Sequence, residues 1–118
     1  MRPSVKIDFD GTLCKDAWPE IGAPKQGVID AARCARDAGV ALILDTCREG
    51  DSLEAALSFC ERHGLAFDAV NANLPERIEH YGGDCRKVSA DYIIDDRAVG
   101  YSDEAAIRLL MKLANGMV

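Results

Sequence analysis

Two carboxylates stand one residue apart at the end of an apolar stretch: Asp8 and Asp10, in the run VKIDFDGTL over residues 5–13. Three other apolar runs end in residues able to do chemistry. VALIL, 40–44, leads into Asp45, Thr46, Cys47 and Arg48. FDAV, 67–70, leads into Asn71 and Asn73, and YII, 92–94, leads into Asp95, Asp96 and Arg97. Unpaired carboxylates are expensive to bury, so four of them at two such ends need cationic partners. Arg48, Lys87 and Arg97 are candidates within the chain. A divalent cation would neutralise more of the charge, and hard oxygen ligands suit Mg²⁺, which commonly accompanies phosphate.

These groups meet only if the chain brings the four ends together. Val5–Phe9, Val40–Leu44 and Tyr92–Ile94 read as strands, and Phe67–Val70 as a weaker one. Helical spacing lies between them. Val28, Ala31, Ala32 and Ala35 repeat at i, i+3, i+4, i+7, and Gly39 supplies a stop. Leu53, Ala56, Leu57 and Cys60 repeat it, with Asp51 as the expected N-cap, Glu54 three residues on and Gly64 at the end. Ala106, Leu109, Leu110 and Leu113 repeat it again, between a Ser102 cap and Gly116. One short helical turn fits between Asn73 and Lys87, and Pro19–Gly27 reads as a loop inside the domain. Strands alternating with amphipathic helices predict a three-layer α/β/α, Rossmann-like parallel sheet. In such sheets the chemistry sits beyond the carboxyl ends of the strands. Gly11 suits the sharp turn that lets Asp8 and Asp10 face one site.

The bulk properties narrow the function. A chain of 118 residues makes one domain, and 48% hydrophobic residues suffice for a core. A net charge of −6 argues against sequence-independent nucleic-acid binding. Five cysteines, an odd number with no C-x-x-C pair or Cys/His cluster, argue against a disulfide framework or zinc site and fit a reducing cytoplasm. No signal peptide precedes Val5, and no apolar run approaches the ~20 residues that span a bilayer. Nothing in the sequence specifies an oligomeric state.

The order of the groups resembles the haloacid dehalogenase superfamily of phosphotransferases. IDFDGTL is similar to its first motif, LILDT to its second with Thr46 as phosphate-binding hydroxyl, and YIIDD to its fourth; Lys87, or Arg86 beside it, is the candidate for the third. TCREG, FDAVN and IDDR further resemble small capless bacterial and phage members. The resemblance implies that Asp8 attacks phosphorus to form an aspartyl-phosphate. Asp10 would protonate the leaving oxygen and then activate water, while Thr46 and Lys87 hold the phosphoryl oxygens. Mg²⁺ would be held by Asp8, the main-chain carbonyl of Asp10, and Asp95 or Asp96. Gly11, Thr12, Cys47 and Arg48 flank these groups and are candidates for substrate contact; Arg48 could equally pair with Glu49. Arg97 is expected to pair with a neighbouring carboxylate. Asn71 and Asn73 could read substrate or satisfy turn backbone. Cys47 has no histidine placed to activate it as a nucleophile.

In the superfamily the segment around Trp18 is a hairpin flap; here it is too short for a cap domain, and so is the stretch from Thr46 to Lys87. The expected site is open, and the expected substrate a small phosphate ester such as a sugar phosphate. Three other readings are available. IDDR also resembles the phosphatase domain of phage polynucleotide kinase, so a polynucleotide 3′-phosphatase is one, although no aromatic-basic stripe supports it. A phospho-accepting receiver-type switch is another, but there the acidic pair comes first and the lysine last. A protein that keeps the fold only for binding is the third.

Overall fold

The computed structural model describes residues 1–116. The apolar run before Asp8 becomes β1 (Ser4–Ile7), an interior strand of a four-stranded parallel sheet. Its neighbours are β4 (Ala41–Leu44) on one side and β6 (Tyr92–Ile94) on the other, with β5 (Ala69–Val70) outside β4. The sheet order is therefore β5-β4-β1-β6. Ile7 pairs with both Leu44 and Ile94, and Leu44 with Val70, so all four strands end at one level. The ladder continues one step: the amides of Asp8, Asp45 and Asn71 donate to the carbonyls of Ile94, Ile7 and Leu44 at 2.9, 2.9 and 2.7 Å. This register sets the polar strand ends along one edge.

Alternation along the strands fills two separate layers. Val5, Ile7, Leu42, Leu44 and Ile94 belong to one buried cluster with Val28, Ala32, Phe59 and Leu110. Those partners come from α1 (Gln26–Asp37), α2 (Gly50–Arg62) and α4 (Asp103–Ala114). Ala41 and Ile43 form a smaller cluster with Leu74, Ala69, Val88 and Ala90, next to α3 (Pro75–Tyr81). Helices thus flank both faces, as the alternating pattern predicts.

The local differences have local causes. Pro19–Gly27 is not simply a loop: β2 (Cys14–Ala17) and β3 (Glu20–Pro24) form an antiparallel hairpin. Apart from buried Cys14 and half-buried Ile21 and Gly22 its strands are exposed, so no hydrophobic alternation marks them. Helix α2 begins before Asp51; Glu49 is the N-cap, and the Ser52 hydroxyl accepts from the Glu49 amide at 3.3 Å. Asp51 instead lies in the first turn, where its charge favours the helix dipole. Ser102 caps α4 as expected, accepting from the Ala105 amide at 3.0 Å. Among the described residues no domain is inserted after β1 or after β4.

Candidate active site

The first residue after β1 and the first two after β6 converge. Carboxylate oxygens of Asp8, Asp95 and Asp96 lie within 4.8 Å of one another. Neighbours on a strand point apart, but the chain leaves β6 at Ile94 and turns immediately. The Ala98 amide donates to the Asp95 carbonyl at 2.9 Å, and the Arg97 amide donates to Asp95 Oδ1 at 2.9 Å. Both aspartates can therefore face the same point, and the choice between them left open by the sequence is not forced.

Thr12 and Gly11 make the convergence possible. Thr12 is buried, its hydroxyl accepts from the Asp96 amide at 3.0 Å, and its Oγ1 lies 3.3 Å from Asp8 Oδ2 and 3.4 Å from Asp96 Oδ1, to either of which it can donate. It ties the end of β1 to the end of β6 and is closed to substrate. Gly11 has φ +88°, and any Cβ there would collide with the Asp96 carboxylate. Both residues position the carboxylates, and neither is among the residues that line the cavity.

The three acids carry no counter-charge from the protein: among the described residues none of them is in an ion pair. Burial pushes the Asp8 carboxyl up to about 7, helped by its hydrogen bond to Asp96 and by the charges of Asp95 and Asp96. Such a cluster suits a hard divalent cation. Three carboxylate oxygens would fill part of an octahedral shell and leave positions for water and a phosphoryl oxygen.

Asp10 does not join this cluster through its side chain. Its two oxygens accept from Arg48 Nε at 2.7 Å and Nη2 at 2.8 Å. Arg48 is only 2% exposed. Its guanidinium lies over the rings of Phe9 and Trp18, 5.3 and 4.8 Å from their centroids, and also donates to the Glu20 carbonyl at 3.0 Å. Arg48 thus pins the hairpin to the strand ends; it neither pairs with Glu49 nor presents its charge to solvent.

Thr46 lines the same cavity as Asp8. Its amide donates to Asn71 Oδ1 at 2.7 Å, and its hydroxyl accepts from the Arg48 amide at 3.1 Å, leaving the hydroxyl proton for an acceptor in the cavity. Asn71 holds that place from a left-handed conformation, φ 51°. A cavity of about 360 Å³ opens here, lined by Asp8, Asp10, Asp16, Trp18, Thr46, Cys47, Arg48, Asp95 and Arg97.

Lys87 is not among those lining residues, nor is Arg86, and both side chains are exposed. The neighbouring Val88 packs beneath the second face of the sheet. Buried Asn73 holds the approach to it: its Nδ2 lies 2.9 Å from Asp84 Oδ1 and from the Cys85 carbonyl and 3.1 Å from the Lys87 carbonyl, while Oδ1 accepts from the Ser89 amide at 2.7 Å. Spacing along the chain carries no sign of this detour. Arg97, expected in an ion pair, makes none among the described residues and lines the cavity instead. Lys25 is a residue the sequence does not single out: its ammonium bonds the Gly11 carbonyl at 2.6 Å and Asp103 at 3.0 Å. It buttresses the loop after β1 from the foot of α1, a contact between segments 14 residues apart with no local signature.

No protein-family model and no curated protein matches the chain. Among solved structures, that of a conserved protein from Bacteroides thetaiotaomicron is 34% identical, with a TM-score of 0.81, over 95% of this chain and 91% of that one. A crystal structure of a target protein from Vibrio cholerae matches 98% of this chain and 99% of its own at 18% identity and a TM-score of 0.51, a likeness of fold alone. The chain belongs to the family of the conserved Bacteroides thetaiotaomicron protein.

Proposed function

We propose that the protein is a Mg²⁺-dependent phosphomonoester phosphatase that works through an aspartyl-phosphate on Asp8. The observation that carries the reading is the convergence of Asp8, Asp95 and Asp96 without a basic partner, beside a cavity that Thr46 also lines. A cation held by those carboxylates would supply the screening that lets an anionic nucleophile approach an anionic phosphate.

The chain's own groups divide the rest. An oxygen of Asp8 bonds to phosphorus as the bond from phosphorus to the leaving oxygen breaks. Asp10 gives that oxygen its proton. Water then attacks phosphorus, Asp10 takes a proton from it, and the bond to Asp8 breaks to release phosphate. The Thr46 hydroxyl donates to a phosphoryl oxygen throughout, where charge builds up in the transition state. Because both Asp10 oxygens accept from Arg48, Asp10 can deliver its proton only as that fork loosens. Cys47 lines the cavity at its exposed edge and is placed for substrate contact.

The substrate class is a small phosphate ester, and the cavity volume fits a group of modest size. All five cysteines are free thiols, which supports a reducing, cytoplasmic setting. No helix among the described residues is long and apolar enough to cross a membrane.

The test is hydrolysis of an aryl phosphate with and without Mg²⁺. Turnover should need the ion and vanish in Asp8→Asn and in Asp10→Asn. Full activity in Asp8→Asn, or turnover indifferent to a chelator, would overturn the mechanism.

A further inference from the structure

The cations near the site are committed elsewhere, with one exception. Arg48 gives its fork to Asp10. Lys25 is held by the Gly11 carbonyl and Asp103. Lys6 bonds the Val88 carbonyl at 3.0 Å and lies 3.4 Å from Asp45. Lys87 lies outside the cavity lining. Arg97 lines the cavity, is exposed, and makes no ion pair or side-chain hydrogen bond among the described residues.

We propose that Arg97 is the phosphate-binding cation of this site: its guanidinium takes the non-bridging oxygens of the phosphate, the place that sequence order suggests for Lys87. The inference rests on the phosphatase reading and names the residue that makes the site receptive to a dianion. Charge gives the reason. Three carboxylates with one divalent ion leave a net charge of −1 in the cluster, which repels phosphate; one guanidinium cancels it. A planar fork also matches two phosphate oxygens at once, which an ammonium does not.

The backbone supports the placement. Arg97 follows Asp95 and Asp96 directly, on a turn closed by the bond from the Ala98 amide to the Asp95 carbonyl and by the bond from its own amide to Asp95 Oδ1. One turn thus presents two acids and a base in succession.

The test is titration of inorganic phosphate into the protein with saturating Mg²⁺, by calorimetry, alongside aryl-phosphate turnover. Arg97→Ala should weaken phosphate binding by about tenfold or more, Arg97→Lys should restore part of it, and Lys87→Ala should bind as wild type. Mg²⁺ affinity in the absence of phosphate should not fall in Arg97→Ala. Arg97 is exposed, so its variants should keep the fold, and thermal melting verifies this. Wild-type phosphate affinity in Arg97→Ala, loss of it in Lys87→Ala, or no phosphate binding by wild type would each overturn the proposal. Arg97-dependent phosphate binding without turnover in wild type would sink the phosphatase reading and keep the Arg97 assignment. Turnover unchanged in Arg97→Ala would do the reverse.

Discussion

Arg48 and Asp10 are joined by two hydrogen bonds of 2.7 and 2.8 Å, and through them the hairpin is fastened to the end of β1. The pair is 38 residues apart in sequence and joins the end of β1, the hairpin and the segment before α2. Its guanidinium lies over the rings of both Phe9 and Trp18.

Removing one partner of a buried pair strands the other, which costs more than the pair contributes. Arg48→Ala should therefore destabilise the fold by about 3 kcal/mol, read from urea denaturation. Arg48→Lys keeps the charge but not the fork and should recover only part of that. The hairpin should loosen in both variants, seen as faster amide exchange at Asp16 to Glu20. An Arg48→Ala protein as stable as wild type would mean the pair contributes little.

The fold was legible because hydrophobic period and strand-end chemistry agree. β4 is four consecutive buried residues, as its unbroken apolar run requires, and α1 and α4 follow their i, i+3, i+4 spacing. The acidic tips of β1 and β6 converge because a parallel sheet in register leaves them no other place. What the sequence concealed is which charges meet across long separations. Arg48 reads as a substrate contact until Asp10 is seen to take both donors. Lys87 reads as a site residue until Asn73 and Val88 are seen to direct its loop toward the second face. The hairpin has no hydrophobic alternation of its own, because most of its residues are exposed, and only the resemblance pointed to it.

Gly11 sets a limit on the site that substitution can expose. Its φ of +88° and the Asp96 carboxylate against its Cα leave no room for a methyl group. Gly11→Ala should displace Asp96, lower Mg²⁺ affinity by about tenfold or more and cost on the order of 1–3 kcal/mol of stability. Gly39 also has a positive φ, but open space surrounds it, so Gly39→Ala should pay the backbone cost and leave Mg²⁺ affinity alone. Equal Mg²⁺ affinity in the two variants would contradict the packing argument. Titration by calorimetry separates them.

Thr12 offers a narrower change. Thr12→Val keeps the shape and removes the oxygen that accepts from the Asp96 amide. An unsatisfied N–H costs up to about 1–3 kcal/mol when buried, and this one is part-buried, so the variant should melt somewhat lower than wild type. Thr12→Ser keeps the oxygen and should lie closer to wild type. If Thr12→Val melts with wild type, the hydroxyl does not tie the two strand ends together.

The Asp8 carboxyl, lifted from an ordinary 3.8 to about 7, links this site to pH. Below about pH 4 both the folded and the unfolded chain hold that proton, and the lift costs nothing. Between about 4 and 7 the unfolded chain has lost it while the folded chain keeps it, so the ion-free fold loses stability as pH rises; above about 7 the loss is complete. Burial is the leading cause, and the neighbouring charges of Asp95 and Asp96 add to it. A cation bound by the three must displace the proton, so its affinity should climb with pH below about 7 and level off above. Melting with and without Mg²⁺ at pH 5.5 and pH 8 measures this. The upward shift of Tm with Mg²⁺ should be small at the lower pH and several degrees at the higher. In Asp8→Asn the difference between the two should shrink, because the asparagine has no proton to lose. Equal stabilisation by Mg²⁺ at both pH values in wild type would mean that Asp8 is not where proton and cation compete.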